Sequence, residues 1–215
     1  MKQLMGSISE GLAATLMKTG RTHLFSENQE IFAEGDDALF LPIVLSGSVK
    51  MIHFLEPGKE VIIGIFHSGE MFAIPPVFDG KKYPSTAISM QESQLLLLAR
   101  SEFLALLRES HEFVFAVINW MSEMLREKTA TIQNLATASP EHRIGHVLLK
   151  LAEKATSDSA VRIALRREDI AKIAGLSTET TIRVIRKFAE KDLLTIVNGK
   201  IVISDTGPLR KYAEH

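Results

Sequence analysis

The chain contains no cysteine. That excludes disulfides, all-thiolate metal sites, cysteine-ligated iron–sulfur clusters and thiol-based redox sensing, while seven histidines keep imidazole ligation open. Long apolar runs are missing as well. Stretches such as Leu95–Ala99 fall far below the roughly 18 residues that a membrane-crossing helix needs, and the N-terminus lacks an apolar stretch with a cleavage site. A cytoplasmic protein without a membrane partner is expected. Neither sign of charge dominates, with 25 Lys+Arg against 26 Asp+Glu. No nucleophile–base–orienter arrangement and no phosphate loop appears, so nothing points to an enzyme.

What is present describes an ordinary chain: 215 residues, 46% hydrophobic and 24% charged, enough for two domains with full cores. The near-zero net charge hides a division at Ser139. Residues 1–138 carry 11 Lys+Arg against 16 Asp+Glu, or −5, and the remainder carries 14 against 10, or +4. Such asymmetry suits a C-terminal part that meets an anion such as nucleic acid.

In the N-terminal half, glycines stand at 35, 47, 58, 69 and 80, spaced by 12, 11, 11 and 11 residues. Between them lie the β-rich segments EIFA (30–33), FLPIVL (40–45), SVKMIHFL (48–55), KEVIIGIF (59–66), STAISM (85–90) and QLLLLA (94–99). Turn glycines at that interval predict a small antiparallel β-roll over residues ~20–100. Glu56-Pro57-Gly58-Lys59 suits a type II hairpin turn, since Pro fixes φ and Gly accepts a positive one. From about Ser101 the period becomes helical, and Glu112–Ala138 runs without Gly or Pro. Val117, Met121, Met124, Lys128, Thr131 and Leu135 recur at spacings of three and four, predicting one helix of ~40 Å: a core helix of a larger domain or, the reading preferred, a seam that pairs with a second copy as a parallel coiled coil. Lys128 and Thr131 would weaken that seam and leave its packing adjustable.

Ser139-Pro140-Glu141 reads as a helix start and domain boundary, with Ser as N-cap, Pro at the first helical position and an acid in the first turn. The organisation expected is therefore 1–111 as a β domain, 112–138 as a dimerisation helix and 139–215 as a reader. A helix to about Lys154, a polar loop at Thr156–Ser159 and a strand at Val161–Leu165 lead to a helix–turn–helix pattern from Arg167, with Ala171 permitting close approach and Gly175 at the turn. With Ser177 as N-cap, the second helix buries Thr181, Val184, Ile185 and Phe188. It turns Glu179, Ile182, Arg183 and Arg186 outward. Arg donates twice to guanine O6 and N7 while Glu accepts from cytosine N4, so Glu179 and Arg183 one turn apart can read neighbouring base pairs in a major groove. Ser177 and Thr178 complete the reading face. TIVNGKIVI (195–203) is a hairpin with an Asn-Gly turn, making the unit a winged helix with Lys200 near a phosphate backbone. The alternative is a ligand-binding regulatory or interaction module whose helix–turn–helix contacts protein.

EGD (34–36), SGSVK (46–50), GEMF (69–72), the glycine ladder, the long helix and IAKIAGLSTETTIRVIRKF (170–188) resemble the CRP/FNR family of transcription regulators from about Phe25 to Ile203. The resemblance implies an α+β fold: a cyclic-nucleotide-binding-like β-roll, a long dimerisation helix and a C-terminal winged helix–turn–helix. It also implies a homodimer on palindromic DNA with TGA-like half-sites, and RNA polymerase as a partner. Cyclic-nucleotide binders of this family hold ribose with Glu and the phosphate with Arg beside a Ser or Thr. Here Ile74 stands in place of that Glu and Ser85 in place of that Arg, with Thr86 following. Both charged anchors are missing, and a buried cyclic phosphate without a cation would be poorly compensated. An effector other than cyclic AMP is expected. The FAIPPVFDGKKYPSTA segment resembles a Dnr-like or HcpR-like group, some of which bind haem. On that resemblance Phe72, Ile74, Val77, Ser85, Thr86, Met124 and Lys128 form the effector pocket, with His23, His53, His67 and methionines as candidate haem ligands for nitric-oxide sensing.

Overall fold

The computed structural model describes residues 8–56, 59–137, 139–153, 160–163 and 165–212. The expected Pro57-Gly58 turn, Ala138 and the Thr156–Ser159 loop lie outside the described residues, as does the side chain of Leu135. The chain divides into two compact units, Met1–Leu125 and Arg126–His215, with the division inside the long helix.

The first unit opens with helix α1 (Glu10–Thr19), capped by the Ser9 hydroxyl, which accepts from the Leu12 amide at 3.2 Å. Leu12 and Leu16, one turn apart, are its buried face. Seven strands follow: β1 (Arg21–Phe25), β2 (Glu30–Phe32), β3 (Phe40–Ser46), β4 (Ser48–Glu56), β5 (Lys59–His67), β6 (Thr86–Ser89) and β7 (Ser93–Ala99). They form two antiparallel sheets, ordered β1-β7-β3 and β2-β6-β4-β5. The short helix α2 (Ile74–Asp79) stands between β5 and β6. Side chains from both sheets, α1, α2, α3 (Arg100–Glu109) and the first part of α4 (His111–Thr137) share one core.

That core is rich in rings. Tyr83 stacks on Phe32 with centroids 3.7 Å apart, and Phe66 stacks on Phe72 at 4.8 Å. Such contacts add to simple area burial. The Tyr83 hydroxyl donates to the Phe40 carbonyl at 2.6 Å, satisfying the polar end of a side chain that is almost wholly buried. Desolvation pushes its pKa up to about 12.

The second unit holds the end of α4, α5 (Pro140–Glu153), β8 (Val161–Ile163), α6 (Arg167–Ala174), α7 (Thr178–Glu190), β9 (Thr195–Val197), β10 (Lys200–Ile203) and α8 (Gly207–Arg210). Its sheet is antiparallel in the order β8-β10-β9. Asn198 and Gly199, with φ of 50° and 75°, make the left-handed turn between β9 and β10 that the Asn-Gly pair specifies. Gly175, at φ 61°, ends α6. The amides of Gly175 and Leu176 both reach back to the Ala171 carbonyl, a helix stop that suits a left-handed residue. The mixed α and β fold, roll first and helix–turn–helix last, is the one expected from the sequence.

Candidate DNA interface, effector pocket and pairing face

Helix α7 starts where Ser177 caps it. The Ser177 hydroxyl accepts from the Thr180 amide at 3.1 Å and donates to the Thr180 hydroxyl at 2.9 Å. Its oxygen is thus committed to the helix start, so Ser177 would shape the reading face more than touch a base. Thr181, Val184, Ile185 and Phe188 are buried on the inner side, while Thr178, Glu179, Arg183 and Arg186 are exposed and Ile182 is half-buried.

Glu179 and Arg183 could have neutralised each other, as i,i+4 pairs on helices do. They do not. Among the described residues neither has an ion-pair or hydrogen-bond partner, whereas Glu168 and Lys172, at the same spacing on α6, meet at 2.7 Å. Both heads on α7 are left available to base edges.

Around this face lie contacts that periodicity did not reveal. Arg167 at the start of α6 donates to the Gly199 carbonyl in the wing turn at 3.3 Å. Partial burial lowers its pKa, although a guanidinium stays charged in proteins. Lys200 is the first residue of β10, half-buried, with Asn198 and Gly199 forming the turn itself. Glu141 of α5 pairs with Lys187 of α7 at 3.0 Å, and that hydrogen bond holds the Glu141 carboxyl below its ordinary value. Arg143 donates to the Ala174 and Gly175 carbonyls at 3.4 and 3.3 Å. Long-range partners of this kind leave no mark on local spacing.

In the roll, Phe72, Ile74, Val77, Ser85 and Thr86 are each no more than 5% exposed. Thr86 accepts from the Glu34 amide at 3.0 Å. The Ser85 hydroxyl is buried with no hydrogen-bond partner among the described residues. Ala73, immediately before α2, adopts φ 57°, a left-handed conformation that costs a residue bearing a Cβ. Arg100 closes the other end of α2, its Nε donating to the Val77 carbonyl at 2.9 Å. Met124 packs, partly buried, on the core of the first unit, and Lys128 is exposed on the portion of α4 that belongs to the second.

The candidate haem ligands are scattered. His23 is exposed on β1 beside the Phe25 ring. His53 on β4 is bonded through Nδ1 to Glu34 at 3.1 Å. His67 ends β5 with its Nε2 buried. Among the described residues no three His, Cys, Asp or Glu side chains converge on one point. His23 and His53 do not fit haem ligation inside the roll.

The expected seam of α4 needs a correction. Val117 is only 5% exposed and Trp120 is buried, both packed into the first unit's core, because α4 closes the roll with that face. Met124 belongs to the same face. The outward apolar residues are Phe115, Ile118, Met121, Leu125 and Ile132, with Ile118 52%, Leu125 69% and Ile132 66% exposed. Ile118, Met121, Leu125, Lys128, Ile132 and Leu135 then alternate at three and four, the a and d positions of a heptad. Of the residues expected on the seam, Met121 and Lys128 are exposed, whereas Val117 and Met124 face the roll.

Residues 22–110 match the cyclic nucleotide-binding domain family and residues 142–212 the Crp-like helix-turn-helix domain family. A nucleotide-binding-type roll and a helix–turn–helix on one chain define a DNA-binding regulator. Over 190 residues the chain is 25% identical to the cyclic AMP receptor protein of Thermus thermophilus, covering 88% of this chain and 87% of that protein. Over 193 residues it is 25% identical to the CRP-like cAMP-activated global transcriptional regulator of Mycobacterium tuberculosis, covering 88% and 86%. The structure of FixK2 from Bradyrhizobium japonicum superposes with a TM-score of 0.83 at 18% identity, covering 91% of this chain and 98% of that one, a likeness of fold. The chain belongs to the CRP/FNR family of transcription regulators. It is a DNA-binding regulator and not an enzyme, and these relatives lend no support to a helix–turn–helix used for protein contacts. None of the three singles out the Dnr-like or HcpR-like group.

Proposed function

We propose that the protein is a cytoplasmic homodimeric regulator that reads an inverted repeat of TGA-like half-sites and answers to a small effector other than cyclic AMP. The observation that carries the reading is the pair of exposed heads of Glu179 and Arg183 on the outer face of α7, with no partner for either among the described residues. Arg183 takes the guanine of the core and Glu179 the cytosine amine of a neighbouring pair. Thr178, Ile182 and Arg186 flank them, Ser177 fixes the helix start, and Lys200 in the wing meets phosphate. Two readers require two chains, and the heptad from Ile118 to Leu135 supplies the pairing face. The functional division is 1–111 as sensor, 112–138 as pairing helix and 139–215 as reader. RNA polymerase is the partner that the bound dimer recruits.

The relatives named for cyclic AMP make that nucleotide the natural comparison. Against it stand Ile74 and Ser85, which offer neither a carboxylate to a ribose nor a cation to a phosphate. The effector that suits the site is uncharged and largely apolar, with one polar atom for the Ser85 hydroxyl, since a buried unsatisfied hydroxyl costs about 1–3 kcal/mol. Selection from random duplexes tests the reading of DNA: a TGA-type inverted repeat bound with steep salt dependence supports it, and no such repeat sinks it. Equilibrium titration tests the effector. Saturable binding of cyclic AMP overturns the pocket argument, and one haem per chain with a response to nitric oxide reinstates haem through His67 or a methionine.

A further inference from the structure

The reading helix α7 is held from below by apolar side chains, Val184, Ile185 and Phe188. Apolar burial is strong but non-directional, so by itself it leaves the helix free to rock by small angles. Two polar contacts, both from the first turn of α5, remove that freedom. Arg143 donates to the Ala174 and Gly175 carbonyls, which terminate α6 at the turn before α7. The amides of Gly175 and Leu176 are already spent on the Ala171 carbonyl, so the guanidinium serves carbonyls at the negative end of the α6 dipole. Glu141, two residues earlier, holds Lys187 at 3.0 Å. From Thr178 to Lys187 the helix advances about 14 Å at 1.5 Å per residue, so the reader is gripped at two well-separated points. The first turn of α5 is itself fixed, with the His142 and Arg143 amides donating to the Ser139 hydroxyl and carbonyl at 3.3 and 3.0 Å.

We propose that Arg143 and Glu141 are positioning residues for DNA reading: they touch no base, and they set the angle at which α7 presents Glu179 and Arg183. This rests on the reading of α7 as the base-contacting helix. Bidentate donation to guanine tolerates little error in angle or distance, so loosening the grip erodes specific binding and leaves phosphate attraction intact.

The test uses the full-length protein with Arg143→Met, which keeps bulk and removes every donor, and with Glu141→Gln, Lys187→Gln and their double variant. Each is titrated against the selected palindrome and a random duplex over a range of salt, with thermal unfolding alongside. Arg143→Met is expected to weaken the palindrome about tenfold, the order of one misread base pair, while random-duplex affinity and the salt slope stay at wild type. The double variant of 141 and 187 is expected to lose no more than the worse single one, the mark of a pair acting together. If Arg143→Met also weakens the random duplex and the salt slope falls by about 1, Arg143 is a phosphate contact and the proposal is wrong. If only the unfolding temperature drops and the ratio of specific to random binding holds, the role is merely structural and the proposal is equally wrong. Wild-type protein that prefers no palindrome defeats the reading of α7 and takes this proposal with it, whereas a specific wild type with an unaffected Arg143→Met defeats the proposal alone.

Discussion

Trp120 donates its indole N–H to the Met71 carbonyl at 2.8 Å, tying the long helix α4 to the segment that runs into α2. The bond is buried and joins the helix that closes the roll to the stretch carrying Phe72, Ala73 and Ile74. An effector that shifts that stretch therefore works against a directional contact with α4, and only such a differential contact can move an equilibrium.

Trp120→Phe keeps the ring and removes the donor, stranding the Met71 carbonyl. Urea unfolding should show a loss of about 1–3 kcal/mol, the cost of an unsatisfied buried polar group. A midpoint unchanged from wild type would mean that water or another donor replaces the indole. Because Trp120 is the one tryptophan of the chain, its emission also reports directly on effector binding in the wild-type protein.

Arg183→Ala should cost about 1–3 kcal/mol on the selected palindrome and relax the preference at the guanine. Thr178 is exposed at the start of the reading helix and offers no bidentate donor, so a further guanine earlier in the half-site should be dispensable here. Binding measurements on single-base variants of the palindrome check both statements, and a strict requirement for the earlier guanine would contradict the second.

The pairing face predicts which substitutions on α4 separate assembly from folding. Leu125→Glu places a charge on the outward heptad and should shift the protein toward monomer in sedimentation while leaving the roll folded. Met124→Glu, one residue away, instead puts a charge against the roll core and should lower its stability. Equal effects of the two on assembly and on melting would contradict the assignment of faces.

Tyr83 gives an alkaline signature. Its pKa is pushed up to about 12 by burial, so the folded state keeps a proton that the unfolded chain releases above its ordinary value of 10.0. The stabilisation is complete below that ordinary value and is lost as pH rises toward about 12. Tyr83→Phe should flatten this part of the stability curve, although it also removes the hydrogen bond to Phe40. A mutant curve that falls as steeply as wild type over that range would rule Tyr83 out.

Much of this was legible in the sequence, for identifiable reasons. The glycine interval and the alternating segments predicted six of the seven strands of the roll because turn chemistry and pleat are local. The uninterrupted helical pattern predicted α4, and Ser177, Gly175 and the Asn-Gly pair predicted the start of α7, the turn before it and the wing. β1 was missed because four of its five residues are exposed and RTHLF shows no alternation. α2 was read as a ligand motif, its two prolines masking a one-turn helix that begins at Ile74. The seam was misplaced because spacing by three and four fits two adjacent faces of one helix equally well. Only the roll, by burying Val117 and Trp120 and half-burying Met124, shows which face is inward. The grip of Arg143 on Ala174 and Gly175 joins residues some thirty positions apart, and no local pattern could carry it.

Ala73 carries a methyl group in a left-handed backbone conformation, where every side chain is at a disadvantage that glycine escapes. For an L-residue the penalty is about 1–2 kcal/mol. The backbone ahead of Ile74 is thus held in a costly conformation by its surroundings, among them the Trp120 bond to Met71. Under the effector-controlled reading proposed above, a change of state that frees this stretch would recover the stored energy and so need a smaller stimulus. Replacing the methyl by hydrogen would relieve that strain, so on the same reading the protein would be harder to trigger, less by altering what the roll can hold than by removing the push behind its release.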